Sequence, residues 1–249
     1  QRTPGCERLV SARRPNVVRV AHSPDADDLF MMRALQLDLI PTGPWRFELR
    51  TAPTDALNRL ASTDEVDVLA LSIAHWPHIA DRWQLLPHGG SLGEGYGPVV
   101  VAREPMSLDA LRGRRVAIPG TTTTAWAVLR QLVDVEPVEI PIVPYARVFE
   151  ALRAGEVDAA LVIHEGRLTY AAEGFVALTD IGEAWAARTG GLPLPLGGNA
   201  IRRDLGPDGE AGSSRSPRQR RKVEAVPVLP VRYGLRVGGV AREVALRDL

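Results

Sequence analysis

Apolar and polar positions alternate in short, regular blocks along the first two hundred or so residues, and each change of period marks an element. Residues 17–21, Val-Val-Arg-Val-Ala, read as a first strand, and residues 28–35 carry apolar side chains at helical spacing. Residues 45–51 alternate with a period of two and predict a strand. Residues 98–102 and 115–118 read as strands flanking a short helix, 123–132 as a helix, 138–143 as a strand and 147–154 as a helix. Strands alternating with helices predict an α/β fold with mostly parallel sheets covered by helices on both faces.

One block occurs twice. A short helix at 55–60 leads through Glu65-Val66-Asp67 into an apolar strand that ends at Ser72. About ninety residues later, 150–155 leads through Glu156-Val157-Asp158 into an apolar strand that ends at His164. Helix-turn-strand units look alike in any α/β protein. The alternative is two similar lobes whose strand ends, Ser72 and His164, face each other across a cleft. Two Gly/Pro-rich stretches, Gly93-Glu94-Gly95-Tyr96-Gly97-Pro98 and residues 190–198, punctuate the series as hinges between lobes or as plain surface turns. The expected division is a disordered tail over 1–16, a first lobe from 17–97 and 198–205, and a second lobe from 98–197.

Residues 206–249 break the pattern, with a basic, breaker-rich run from Ser213 to Lys222. A disordered tail and a nucleic-acid arm are two readings of this run. The arm is disfavoured because no aromatic residues interleave the charges. The preferred reading is an altered reading frame after about Leu205, because Lys222 is the only lysine and arginine-heavy text is what an off-frame, GC-rich gene yields.

Composition removes whole classes of partner. At 249 residues the chain can bury a core in one or two domains. Its 30 basic and 30 acidic residues cancel, which argues against nucleic acid and anionic membrane surfaces. No run approaches the ~18 apolar residues of a membrane span, and the first sixteen residues lack the apolar centre of a signal peptide. A single cysteine, Cys6, leaves no disulfide and no thiolate zinc site within the chain. These features predict a soluble, cytoplasmic protein.

Candidate chemistry concentrates at strand ends. The run Leu161-Val162-Ile163-His164 gives way to Glu165-Gly166 and an amphipathic segment, so His164 stands where a strand ends and a helix begins, the sheet edge at which ligands sit. The positive end of a helix dipole favours a neutral imidazole that can accept a proton near pH 7. A satisfied structural histidine is the competing reading. Residues 121–124 are four threonines that follow a strand and open a helix. Backbone N–H groups and hydroxyls there can cradle a carboxylate, although one threonine acting as an N-cap is the simpler account. In His22-Ser23-Pro24-Asp25-Ala26-Asp27-Asp28, Ser23 or Asp25 suits capping and the later acids suit the first helical turn, leaving little for a metal. His75 and His78 flank Trp76-Pro77, and the proline spoils a regular ligand pair. No nucleotide-binding glycine turn, phosphate loop or Gly-x-Ser-x-Gly elbow is present. The strand ends offer a serine, a threonine cradle and a histidine, without a metal or organic cofactor.

Several of these motifs occur together and in order. Residues 23–28, the Gly95-Tyr96-Gly97-Pro98 turn, the threonine run, Ile163-His164-Glu165-Gly166-Arg167-Leu168-Thr169-Tyr170 and residues 191–199 resemble the 1,4-dihydroxy-6-naphthoate synthase family of the futalosine route to menaquinone. The resemblance covers about Val17 to Leu205 and implies a two-lobed fold like the type 2 periplasmic binding proteins, with a hinge. It implies a lyase that cleaves cyclic dehypoxanthine futalosine to 1,4-dihydroxy-6-naphthoate, with His164 as proton acceptor and no cofactor. It also implies substrate-binding segments at Ser72 and Ile73 and at Thr123 and Thr124, with Ser23 and Asn199 as further binding candidates from the matched motifs. The threonines would take the naphthoate carboxylate and Ser72 a substrate hydroxyl. The family usually continues past the second hinge into helices that pack on the first lobe, and no such helices are legible in 206–249. A solute-binding protein for a small carboxylate and a chorismate dehydratase of the same pathway are the alternative expectations.

Overall fold

The protein's structure, a computed structural model, describes residues 16–142, 144 and 146–205. The expected tails at 1–16, save Asn16 itself, and at 206–249, with the altered-frame reading, lie outside the described residues. The first sheet is built from β1 (Val17–His22), β2 (Arg46–Thr51), β3 (Val68–Ser72), β4 (Trp83–Leu85), β5 (Ser91–Gly93) and the late strand β11 (Leu194–Arg202). Helices α1 (Ala26–Gln36) and α2 (Thr54–Leu60) link its first three strands, and a 3₁₀ turn at Ile73–His78 follows β3. The second sheet holds β6 (Val99–Ala102), β7 (Arg115–Ile118), β8 (Glu136–Glu139), β9 (Ala159–Val162) and β10 (Val176–Asp180). Its helices are α3 (Thr124–Leu132), α4 (Ala146–Arg153), α5 (Gly166–Thr169) and α6 (Ile181–Thr189).

Strand order is β2-β1-β3-β11-β4 in the first sheet, with β5 also on β11, and β10-β6-β9-β7-β8 in the second. Both faces of each sheet are covered, which is why β6, β9 and β3 up to its terminal Ser72 are apolar at every turn of the pleat rather than at alternate positions. On one face of the first sheet Leu57, Leu69, Leu71 and Trp83 form the core, and on the other Val18, Val20, Met32 and Trp45. Trp83 is fully buried and donates its indole N–H to the Ala61 carbonyl at 2.8 Å, so the largest core side chain leaves no polar atom unmet. In the second sheet Ile118, Leu129 and Leu161 pack on one side and Phe149, Leu152 and Val162 on the other.

The repeated block has the same structural task in each half. Asp67 accepts from the Arg19 backbone N–H at 2.9 Å and from its guanidinium at 3.0 and 3.1 Å, and donates its own N–H to the Arg19 carbonyl at 2.8 Å. Asp158 accepts from the Arg115 N–H at 3.2 Å and donates its N–H to the Arg115 carbonyl at 2.8 Å. Each aspartate therefore pins the start of its strand beside a parallel neighbour, β1 in one sheet and β7 in the other. The consequence is that Ser72 and His164 follow equivalent strands in the two lobes.

Three expectations are corrected. The sheets are mixed, not mostly parallel: β1 pairs parallel with β2 and β3, and β7 with β8 and β9, but β11 is antiparallel to β3, β4 and β5, and β6 to β9 and β10. The strands that carry the chain into and out of the second lobe enter each sheet reversed. The strand expected at 138–143 lies at Glu136–Glu139, since Pro141 and Pro144 cannot supply ladder donors. The Leu194-Pro195-Leu196-Gly197-Gly198 run, read as a hinge or turn, is the first half of β11, paired with β5 and, from Gly197, with β3. Its proline falls where β11 pairs with the short β5, next to a register shift, and its glycines let the strand lie close to the 3₁₀ turn: a Cβ on Gly198 would stand 3.1 Å from Ile73 Cδ1. Among the described residues no helix is long and apolar enough to cross a membrane.

Candidate active site between the lobes

The site forms where the ends of β1, β3, β7 and β9 meet. Helix α1 begins at Asp25, whose Oδ1 accepts from the Asp28 N–H at 3.0 Å as an N-cap. Asp28 reaches back to accept from the Ser23 N–H at 2.6 Å, and the Ser23 hydroxyl accepts from the Asp25 N–H at 3.4 Å. The acids of this turn thus satisfy helix-start donors, as expected from their spacing.

The second carboxylate oxygen of Asp25 does something else. Asp25 Oδ2 stands 3.1 Å from His164 Nδ1, across the gap between the lobes. Directly beside it, Glu165 Oε1 accepts from the Ala26 N–H at 3.1 Å, so two consecutive residues of the second lobe engage the start of a helix in the first. His164 has a φ of +49°, a left-handed backbone that is uncommon for a residue other than glycine. Such strain persists where surrounding contacts over-determine it, and it clusters at functional sites. The other ring nitrogen, Nε2, is buried and has no hydrogen-bond partner.

Electrostatics here are acidic. Burial, then the neighbouring Asp25 charge, pushes the Asp28 carboxyl up to about 7, although the Ser23 N–H pulls the other way. Burial followed by Asp25 also raises Asp27, which the nearby His164 counteracts.

Ser72 ends β3, and its surroundings hold a residue that the sequence pattern did not single out. Asn58, fully buried near the end of α2, accepts from the Ser72 N–H at 3.0 Å and donates to the Ser72 hydroxyl at 3.2 Å. The same amide donates across the gap to Thr122, at 2.9 Å to the hydroxyl and 3.2 Å to the carbonyl. The available signal was a polar side chain beside Leu57 on the buried face of an otherwise amphipathic helix.

The four threonines divide their work. Thr121 gives its N–H and hydroxyl to Glu139, and these bonds hold that carboxyl below its ordinary range. Thr123 is the N-cap of α3, accepting from the Trp126 N–H at 3.3 Å and donating to the Gly120 carbonyl at 2.8 Å. Thr124 donates to the Leu196 carbonyl at 2.8 Å and accepts from the Ala74 N–H at 3.1 Å, both outside its own lobe. Thr122 and Thr124 therefore face the first lobe, and Thr121 and Thr123 stabilise their own. Ile73 follows Ser72 into the 3₁₀ turn. Asn199 is on β11, buried, with its amide nitrogen 3.9 Å from Met31 Sδ and its carbonyl oxygen without a partner. It lies under α1, whereas Ser72, Thr124 and Ile73 gather at the α3 side.

Between the 3₁₀ turn and α3 the seam keeps a cavity of about 210 Å³, lined by His75, His78, Thr122, Trp126 and Arg130 among others. That is below the roughly 300–1,000 Å³ of a small-molecule site, and neither Asp25 nor His164 lines it. Burial, then the neighbouring His78, lowers the pKa of His75, against a hydrogen bond to the Asn58 carbonyl. Among the described residues no three His, Cys, Asp or Glu side chains cluster as metal ligands.

Comparison with known proteins places this geometry in a family. A family model described as menaquinone biosynthesis matches residues 18–221. The 1,4-dihydroxy-6-naphthoate synthase of Streptomyces coelicolor is 43% identical over 196 residues, spanning 77% of this chain and 68% of that protein. Its counterpart from Thermus thermophilus is 42% identical over 190 residues, 76% of this chain and 67% of that one. A crystal structure of an Archaeoglobus fulgidus protein superposes with a TM-score of 0.72 at 43% identity, covering 79% of this chain and 72% of that chain. The alkanesulfonate-binding protein SsuA of Xanthomonas axonopodis, at 15% identity, superposes with a TM-score of 0.58 over 77% of this chain and 67% of that one, a likeness of fold alone. The two mixed sheets and the cleft between them are thus a two-lobed, type 2 periplasmic-binding-protein-like fold, and the chain belongs to the menaquinone-biosynthesis family that includes the 1,4-dihydroxy-6-naphthoate synthases.

Proposed function

We propose that this enzyme of menaquinone biosynthesis is a lyase that converts cyclic dehypoxanthine futalosine to 1,4-dihydroxy-6-naphthoate, with His164 as the general base. The observation that carries the reading is the state of His164: one ring nitrogen against Asp25 and the other buried and unpartnered at the mouth of a strand. A side chain kept in a strained backbone to present a free ring nitrogen suits proton transfer better than structure. His164 takes a proton from a substrate hydroxyl or activated C–H. The released electron pair breaks a C–C bond, the sugar-derived fragment departs, and aromatisation of the ring supplies the driving force.

In this reading Thr123 and Thr124 receive the substrate carboxylate at the start of α3, and Ser72 meets a substrate hydroxyl, with Ile73, Ser23 and Asn199 completing the lining. The present partners of Thr124, the Ala74 N–H and the Leu196 carbonyl, lie outside its lobe, so parting the lobes frees that hydroxyl for a ligand. In this reading the crossings before β6 and before β11 serve as the hinge.

The test is turnover of cyclic dehypoxanthine futalosine by the full chain, followed through the ultraviolet absorbance of the naphthoate. Product formation that His164→Gln abolishes supports the reading. Tight binding without turnover would favour a solute-binding protein, and turnover of chorismate instead would favour the sister dehydratase. Comparing that rate with the rate of the Streptomyces coelicolor relative tests whether residues 206–249 impair this chain.

A further inference from the structure

We propose that Asp25, reaching from the first lobe, is the positioning residue that fixes the tautomer of His164, so that the base is set only when the lobes are closed.

The argument starts from the division of labour within one carboxylate. Oδ1 is committed to the Asp28 N–H as a helix cap, which leaves Oδ2 for His164 Nδ1 at 3.1 Å. A carboxylate has no proton to give, so its charge beside Nδ1 favours the tautomer that carries the hydrogen on that nitrogen. Nε2 is then the lone-pair nitrogen, and it is the ring atom that is buried without a partner. The neutral imidazole is thereby held in the one tautomer in which the free nitrogen can accept a proton. When it does, Nε2 gains the proton, Nδ1 keeps its own, and the Asp25 carboxylate faces the resulting imidazolium. The side chain of Asp25 is 6% exposed and that of His164 26%, so the pair is largely shielded from solvent.

The partners belong to different sheets. Asp25 follows β1 and His164 follows β9, and the adjoining Ala26–Glu165 bond crosses the same gap. Opening the lobes far enough to admit a substrate separates Nδ1 from Oδ2 and releases the ring to either tautomer. Closure over substrate restores it. Proton transfer is thus coupled to the exclusion of water, with no additional switch.

This inference rests on His164 being the base, and the experiment separates the two claims. Asparagine caps a helix as well as aspartate does, so in Asp25→Asn the amide oxygen stays on the Asp28 N–H and the amide nitrogen turns to His164. A donor opposite Nδ1 forces the hydrogen onto Nε2. The expected result is a melting temperature like that of the parent, KM little changed, and kcat lower by up to about 10⁴-fold, the scale seen when an orienting aspartate is replaced by asparagine in a hydrolase triad. Ring ¹⁵N shifts of His164, assigned with His164→Gln among the five histidines, should show the hydrogen moving from Nδ1 to Nε2. Asp25→Ser, which retains a cap but is too short to reach the ring, should lose kcat as well. Parent-like kcat in Asp25→Asn, with His164→Gln inactive, overturns the inference and leaves the base in place. An unchanged tautomer in Asp25→Asn overturns it too. Activity retained in His164→Gln overturns the base and the inference together.

Discussion

Asn58 and Thr122 tie the two lobes together through one buried amide, which also holds the backbone and hydroxyl of Ser72. Replacing Asn58 with alanine leaves the Ser72 N–H buried without an acceptor, at about 1–3 kcal/mol. The expected outcome is a melting temperature lower by roughly 2–12 °C, with KM raised because Ser72 is no longer held. A melt and a KM both like those of the parent would show that these bonds contribute nothing.

His164 sits in a backbone conformation that asparagine tolerates better than most residues. His164→Asn should therefore melt at or above the parent temperature while turnover falls by about 10²–10⁴-fold. A clear loss of stability would mean that the contact with Asp25 outweighs the backbone strain, and would make the histidine structural.

Asp28 gives a signed pH dependence. Its carboxyl is raised from 3.8 to about 7 in the folded protein, so the folded state binds this proton more tightly than the unfolded chain. Stability from this group is fully present below about pH 4, declines as pH rises towards 7, and is gone above that, a swing of roughly 2–4 kcal/mol. Asp28→Asn keeps an acceptor for the Ser23 N–H without the charge. The variant and the parent should melt alike near pH 4, and the variant should melt higher at pH 8. A difference independent of pH would show that Asp28 is ionised throughout.

Gly182 faces the crossing between the lobes, where a Cβ would stand 2.1 Å from the Tyr96 carbonyl and 2.5 Å from the Gly97 nitrogen. Backbone on the receiving side cannot step aside as a side chain could. Gly182→Ala should cost about 3 kcal/mol or more. Gly95→Ala, two residues from the same crossing, meets no atom within 4 Å and strains only its own φ of +70°. It should cost about 1 kcal/mol. Equal losses in thermal melts would show that the crossing is not closely packed.

Sequence by itself determined the elements whose periodicity reports their own burial, and the local chemistry of short motifs. β9 is apolar throughout, and β3 is apolar up to its terminal Ser72, because both faces are covered, and helix α3 shows its threonine cap in the text of the chain. The repeated Glu-Val-Asp block and the position of His164 at a strand end were legible for the same reason: each depends on neighbours within a few residues. Tertiary structure alone decided the rest. β11 was hidden because prolines and glycines obscure a strand that is held by its partners β3, β4 and β5 rather than by its own propensity. Asp25 read as a cap, and it is one, but a carboxylate has two oxygens and the second finds His164 across 139 positions of chain separating the same two elements that Ala26 and Glu165 join. Asn58 carried no motif at all; its role arises where α2, β3 and the start of α3 converge. Pairings of this kind depend on where distant segments are brought together, and no local spacing encodes that.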